Sequence, residues 1–150
     1  PPGGRLIRTL TGHSSWVNAV AIAPDGKLAI SGSRDNTLKV WNLTTGEVLC
    51  TLTSHSDSVN SVAISPDGKR AISASWDNTL KVWNLATGAE LFTLNGHISG
   101  VNAVAIAPDG KLAISASSDN TLKVWNLATG KELFTLNGHN YPVNAVAISS

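Results

Sequence analysis

The chain is short of cysteine, of charge and of long apolar runs, and each shortage excludes something. Cys50 is the single cysteine in 150 residues, so no disulfide forms within the chain, and a reducing, cytoplasmic setting is expected. Charged residues make up 14% of the chain and sum to a net charge of +1. Electrostatics alone therefore give no reason to expect nucleic acid or an anionic membrane as a partner. No apolar run approaches the roughly 20 residues of a spanning helix. The opening Pro1-Pro2-Gly3-Gly4 reads as a flexible lead-in rather than a signal peptide. Sustained helical periodicity is missing too, which leaves an all-β chain. With 42% hydrophobic residues, its length suits one domain with a core.

What the chain has is repetition. Ser33-Arg34-Asp35-Asn36-Thr37-Leu38-Lys39-Val40-Trp41-Asn42-Leu43 returns with little change at 75–85 and 117–127, a step of 42 residues. Gly-His or Ser-His pairs keep that step at His13, His55, His97 and His139. In each complete repeat His precedes Asp by 22 residues, and Asp precedes Trp by 6. A period of about 40–45 residues with such a start and end is the mark of propeller blades. Over almost its full length the sequence resembles the WD-repeat β-propeller family. It departs from that family in ending each repeat Trp-Asn, where the family name expects Trp-Asp.

The resemblance implies four-stranded antiparallel blades with strands A to D, A being innermost. Val17 to Ala23 is strand A, Leu28 to Ser33 strand B and Thr37 to Leu43 strand C. Pro24-Asp25-Gly26-Lys27 is a turn, with proline presetting φ and glycine accepting a positive one. The expected order is an orphan strand D over 5–10, then repeats 14–55, 56–97 and 98–139, then an orphan strand A over 143–148. Propellers close with about 4–8 blades. Three blades would leave an apolar face of roughly 300 Å² open at each end. Self-association into a ring, or continuation in a longer chain, is the expectation. Repeats 56–97 and 98–139 differ at 8 of 42 positions, and 14–55 and 98–139 at 10. Such likeness reads as recent amplification or engineering, and it is similar to the repetitive arrays of bacterial signalling proteins. An engineered or evolutionary propeller fragment, with self-assembly as its only activity, is the alternative.

His, Ser and Asp together are the ingredients of a hydrolase triad, but recurrence in every blade argues for a building role. In the WD-repeat family the matching residues form a buried network in which Asp binds His, His binds Ser and Ser binds Trp. The resemblance places that network on His13, Ser33, Asp35 and Trp41; on His55, Ser75, Asp77 and Trp83; and on His97, Ser117, Asp119 and Trp125. Buried polar groups of this kind fix one arrangement, because every alternative leaves a partner unsatisfied. No catalytic residue, metal site or cofactor is expected: the histidines lie on separate blades, and Asp25-Gly26-Lys27 is a turn, not a phosphate loop. Cys50 stands where the other repeats have Phe92 and Phe134, so it fills core space as a small apolar residue.

The residues that differ between repeats are the informative ones. They cluster at Ser14-Ser15-Trp16, Ser56-Asp57-Ser58, Ile98-Ser99-Gly100 and Asn140-Tyr141-Pro142, and before the turn Asp at Arg34, Trp76 and Ser118. In the family both places open on the top of the propeller, the usual site of peptide and protein recognition. Trp and Arg are frequent interface anchors. Trp16, Arg34, Trp76, Ser118 and Tyr141 are thus the candidate binding residues. A third variable set, Glu47-Val48, Ala89-Glu90 and Lys131-Glu132, lies on the outer strand, where no site is expected. The expected function is a non-enzymatic scaffold whose partners are a peptide or protein and further copies of itself.

Overall fold

The computed structural model describes residues 6–149. The lead-in 1–4 and Arg5 of the expected strand D lie outside them. Twelve strands and no helix form among the described residues. The first sheet holds β1 (Val17–Ile22), β2 (Leu28–Ser33), β3 (Leu38–Asn42) and β4 (Val48–Leu52). The second holds β5 (Val59–Ile64), β6 (Arg70–Ser75), β7 (Leu80–Asn84) and β8 (Glu90–Leu94). The third holds β9 (Val101–Ile106), β10 (Leu112–Ser117), β11 (Leu122–Asn126) and β12 (Glu132–Leu136). Each is an antiparallel meander in sequence order, and we call them blades one to three.

Local chemistry sets the turns. Between β1 and β2, Gly26 takes a φ of +73° and its N–H donates to Ala23 O at 2.9 Å. Between β2 and β3 the left-handed residue is not glycine but Asn36, with φ +74°. Asparagine is among the few side chains that tolerate this region. After β3 the departure from Trp-Asp acquires a reason: Asn42 Oδ1 accepts from the N–H groups of Thr44 (2.8 Å) and Thr45 (3.1 Å). An amide oxygen closes that turn as a carboxylate would, without the charge. Asn84 and Asn126 repeat the arrangement.

The blades pack face to face. Ile30, Leu38, Val40 and Leu52 of blade one meet Val59, Val62, Trp83 and Leu85 of blade two. Ile72, Leu80, Val82 and Leu94 of blade two meet Val101, Val104, Trp125 and Leu127 of blade three. Alanine recurs on β1, β5 and β9, where neighbouring blades converge. Lys81 and Lys123 are buried at the blade rim but pair with Glu90 and Glu132. Blade one has Val48 at that place, and Lys39 Nζ keeps only the bond to Thr51 Oγ1 that Lys81 and Lys123 also make to Thr93 and Thr135. The variation at Val48, Glu90 and Glu132 is thus the omission or making of an ion pair.

The orphan strands do not form. Residues 6–10 and 143–148 carry no strand, because a ladder needs a neighbour and these segments have no third and second strand, respectively, beside them. They still dock. Leu10 lies against Gly46 as Leu52 lies against Gly88 and Leu94 against Gly130. Val143 is buried, and its N–H donates to Ser117 O at 2.9 Å.

Candidate functional site

At one end of each blade, the loop before the first strand meets the turn between the second and third. We call this end the top. In blade two His55 Nδ1 lies 2.7 Å from Asp77 Oδ2, His55 Nε2 lies 2.7 Å from Ser73 Oγ, and Trp83 Nε1 donates to Ser73 Oγ at 2.9 Å. The proton order follows from the two ends, since the indole can only donate and the carboxylate can only accept. Nδ1–H donates to Asp77, which leaves Nε2 of the neutral ring to accept from the Ser73 hydroxyl, while Ser73 Oγ accepts from Trp83. Blades one and three repeat the chain through His13, Asp35, Ser31 and Trp41, and through His97, Asp119, Ser115 and Trp125.

This corrects the serine expected from the sequence. Ser33, Ser75 and Ser117 do not sit between His and Trp; the serines two residues earlier do. Ala29 pairs directly with Trp41 across β2 and β3, so Ser31 is the diagonal neighbour on the same face, about 7–8 Å away and within reach of an indole. Ser33 is two residues further along the strand, roughly 6.6 Å more. Its hydroxyl donates instead to Trp16 O at 2.8 Å and accepts from Asp35 N–H at 3.1 Å. Ser75 and Ser117 bond to Asp57 O and Gly100 O in the same way.

The aspartate ties the two loops together. Asp35 accepts from Ser14 N–H and His13 on one side, and from the Thr37 N–H and hydroxyl on the other. Burial alone would raise its carboxyl; these hydrogen bonds outweigh burial and hold it well below the usual carboxylate range. Asp77 behaves likewise. Burial also opposes ionisation of Asp119, yet bonds from Thr121, His97 and Ile98 N–H bring it down to about 2. Burial pushes His97 below its ordinary value, against the pull of Asp119. That blade therefore holds a neutral imidazole on a carboxylate.

Sequence reasoning missed the asparagines. Opposite β2, Val17 pairs with Ser33 and Ala19 with Gly32, so Asn18 is the extra residue of a bulge. The bulge turns its side chain to the next blade, where Asn18 Nδ2 donates to Val59 O at 3.1 Å. Asn60 and Asn102 reach Val101 O and Val143 O in the same way. The signal was present as Val-Asn recurring at the 42-residue step, but bulges leave no mark in composition.

The candidate binding residues fall into two groups on the top. Arg34 Cζ lies 4.7 Å from the centre of the Trp16 ring, a cation–π contact on blade one, and Trp16 is 72% exposed. Trp76 bridges to the neighbouring blade. Its Nε1 donates to Asn102 Oδ1 at 3.2 Å, and a β-carbon added at Gly100 would lie 2.7 Å from its Cδ1. Glycine at that place makes the seat for the ring, which stays 50% exposed. Asn102 also donates to Ser118 Oγ at 3.0 Å. Tyr141 is 81% exposed. Among the described residues no group of His, Cys, Asp and Glu could hold a metal ion.

Comparison with known proteins agrees with this geometry. The family described as "WD domain, G-beta repeat" matches residues 4–42, 46–84 and 88–126. The second and third matches begin with the last strand of the preceding blade, so the repeat unit and the sheet are out of phase. The small ribosomal subunit protein RACK1 of Caenorhabditis elegans is 51% identical over 45 residues, 30% of this chain and 14% of that protein. The nuclear distribution protein nudF 2 of Penicillium rubens is 54% identical over 41 residues, 27% of this chain and 9% of that protein. The chain thus matches only a small part of the length of these curated relatives. Among solved structures, "Structure of U3-55K" superposes with a TM-score of 0.87 at 28% identity, over 90% of this chain and 43% of that one. "Crystal structure of RRP9 WD40 repeats" gives 0.87 and 28%, over 90% and 42%.

Proposed function

The chain belongs to the WD40 family of G-beta repeats, and from that premise we propose that it is a non-enzymatic scaffold that receives a protein or peptide on the top of its blades. The observation that carries this reading is the pair of preorganised aromatic anchors there. Trp16 is backed by Arg34, and Trp76 is seated on Gly100 and held by Asn102. A side chain already fixed in place loses little freedom when a partner arrives. Burying one tryptophan removes about 150–250 Å² from water, worth several kcal/mol at about 25 cal/mol per Å². An extended peptide with an aromatic or acidic side chain suits an aromatic and cationic surface. The relatives carry the names of different assemblies, ribosomal, splicing and nuclear distribution, which fits a shared scaffold better than a shared chemistry. The Asp–His–Ser chain has the order of a hydrolytic triad, but Ser73 and Ser115 are fully buried and their hydroxyls are already bonded on both sides.

The same reading has the arc of blades closed into a ring, by further copies or by further blades of a longer chain, in a cytoplasmic setting that suits its lone cysteine. Self-assembly as the only activity is the competing reading. The test changes Trp16 and Trp76 to Ser, separately and together. Ser58 and Ser118 occupy the equivalent places in other blades, so folding is expected to survive. Recognition predicts that a partner retained by the parent is lost from the double variant, with Tm nearly unchanged. A fall of several degrees in Tm, with no partner ever retained by the parent, overturns it.

A further inference from the structure

One pair of faces meets twice among the described residues, and the same two faces are only partly covered at the two ends of the arc. Val59 and Val62, buried against blade one, correspond to Val17 and Val20 of blade one, which are 55% and 66% exposed. Leu52 and Leu94, buried in the two junctions, correspond to Leu136 of blade three, which is 45% exposed. Ile72, Leu80 and Val82 are fully buried, whereas Ile114, Leu122 and Val124 are only half-buried.

We propose that these end faces dock on one another between copies, head to tail, with blade three of one molecule receiving blade one of the next. This rests on the ring-closing part of the reading above. The occupant is a second copy because its blade one already carries the fitting residues: Val17, Val20, Trp41 and Leu43 are the counterparts of the Val59, Val62, Trp83 and Leu85 that fill the internal junction. The two surfaces are different, so the contact is heterologous and propagates until rotation closes a ring.

The ends also carry their own competitor. Residues 143–148 repeat the Val-Asn-Ala-Val-Ala-Ile of β1. Asn102 donates to Val143 O as Asn60 donates to Val101 O, so the tail sits on blade three where β1 of an incoming copy would sit. Residues 6–10 occupy on blade one the place of an incoming β12, with Leu10 at Gly46. Docking therefore exchanges two covalent stand-ins for two equivalent strands of a neighbour. What is gained is the middle of the junction, where β2 and β3 of the newcomer cover Ile114, Leu122 and Val124. The tail acts as a displaceable cover that weakens association without preventing it.

The test uses sedimentation velocity on the 150-residue chain, on Val20→Lys, on Leu136→Lys, and on the two variants mixed in equal amounts. Both side chains are exposed in the single molecule, so neither change disturbs its core. The parent is expected to associate, and each variant alone to fall to monomer. The mixture should recover a dimer and nothing larger, because only one intact pair of faces remains. Ending the chain after His139 should tighten self-association by at least about tenfold, or about 1.4 kcal/mol. Variants that associate as the parent does would overturn the docking surface while leaving self-association standing. A parent that stays monomeric, with and without its tail, would overturn self-association itself and leave the ends to further blades. Neither outcome touches recognition at the top, which the tryptophan variants test.

Discussion

A single carboxylate in this protein serves two loops at once, and its removal should cost accordingly. Asp77 accepts from His55, from Ser56 N–H and from the Thr79 N–H and hydroxyl. Asp77→Ala leaves a buried imidazole N–H and two loop amides without a partner, a loss of about 3–5 kcal/mol by analogy with breaking a buried pair. Asp57→Ala, at an exposed loop position, should cost under about 0.5 kcal/mol. Comparable losses in thermal denaturation would show that Asp77 does not act from a buried network. The serine correction is open to a sharper readout. Ser73→Ala removes the acceptor of the Trp83 indole N–H and should shift that proton's NMR resonance strongly. Ser75→Ala should leave the resonance in place, because Ser75 bonds to the loop carbonyl of Asp57 instead. A shift in the second variant and not the first would restore the original assignment.

At the scale of elements, each blade depends on one non-glycine residue in a left-handed turn. Asn78 has a φ of +75°. Asn78→Ala keeps the β-carbon but loses the local hydrogen bonding that lets asparagine occupy that region, and should destabilise by roughly 1 kcal/mol, while Asn78→Gly removes the β-carbon and should be nearly neutral. Equal losses in urea denaturation would mean that the Asn side chain, not the backbone, is what matters. Blades of this kind were legible in advance because strand alternation, turn residues and the 42-residue step all agreed. His, Asp and Trp were legible for the same reason: fixed separations on defined strands leave little freedom in where they meet. The serine was not, since two serines two residues apart share a face and only cross-strand register chooses between them. Nor were the asparagine contacts, which depend on a bulge, or the failure of 6–10 and 143–148 to become strands. Those segments have strand sequences, but a strand is a property of a pair. Trp76 shows the same limit. Its departure from the repeat was visible, but its seat on Gly100 of the next blade required the packing of two sheets.

At the scale of the whole molecule, the networks act in one direction as pH falls. Asp119 has a folded value of about 2 against an ordinary 3.8, and Asp35 and Asp77 lie lower still. The unfolded chain takes up these protons first, so their contribution is fully present above about pH 4 and is lost as pH drops towards the folded values. His97 has the same sign for a different reason. Its folded value is depressed by burial, so the unfolded chain again binds the proton first, and stability falls once pH drops below about 6.5. Acid should therefore weaken the protein in two stages, gently below about pH 6.5 and steeply below about pH 4. Denaturant unfolding across that range measures it. Asp119→Asn removes one carboxylate but keeps its shape, so the variant should be less stable at neutral pH and show a flatter acid limb. An unchanged slope would mean that Asp119 titrates as an ordinary surface carboxylate. All three networks lie at the top end, joining the loops at 14–16, 56–58 and 98–100 to the turns that carry Arg34, Trp76 and Ser118, respectively. The first amides to lose protection from hydrogen exchange on acidification should therefore be those of the loops at 14–16, 56–58 and 98–100. Uniform loss across the blades would instead show that the networks stabilise the molecule without holding its binding end in shape.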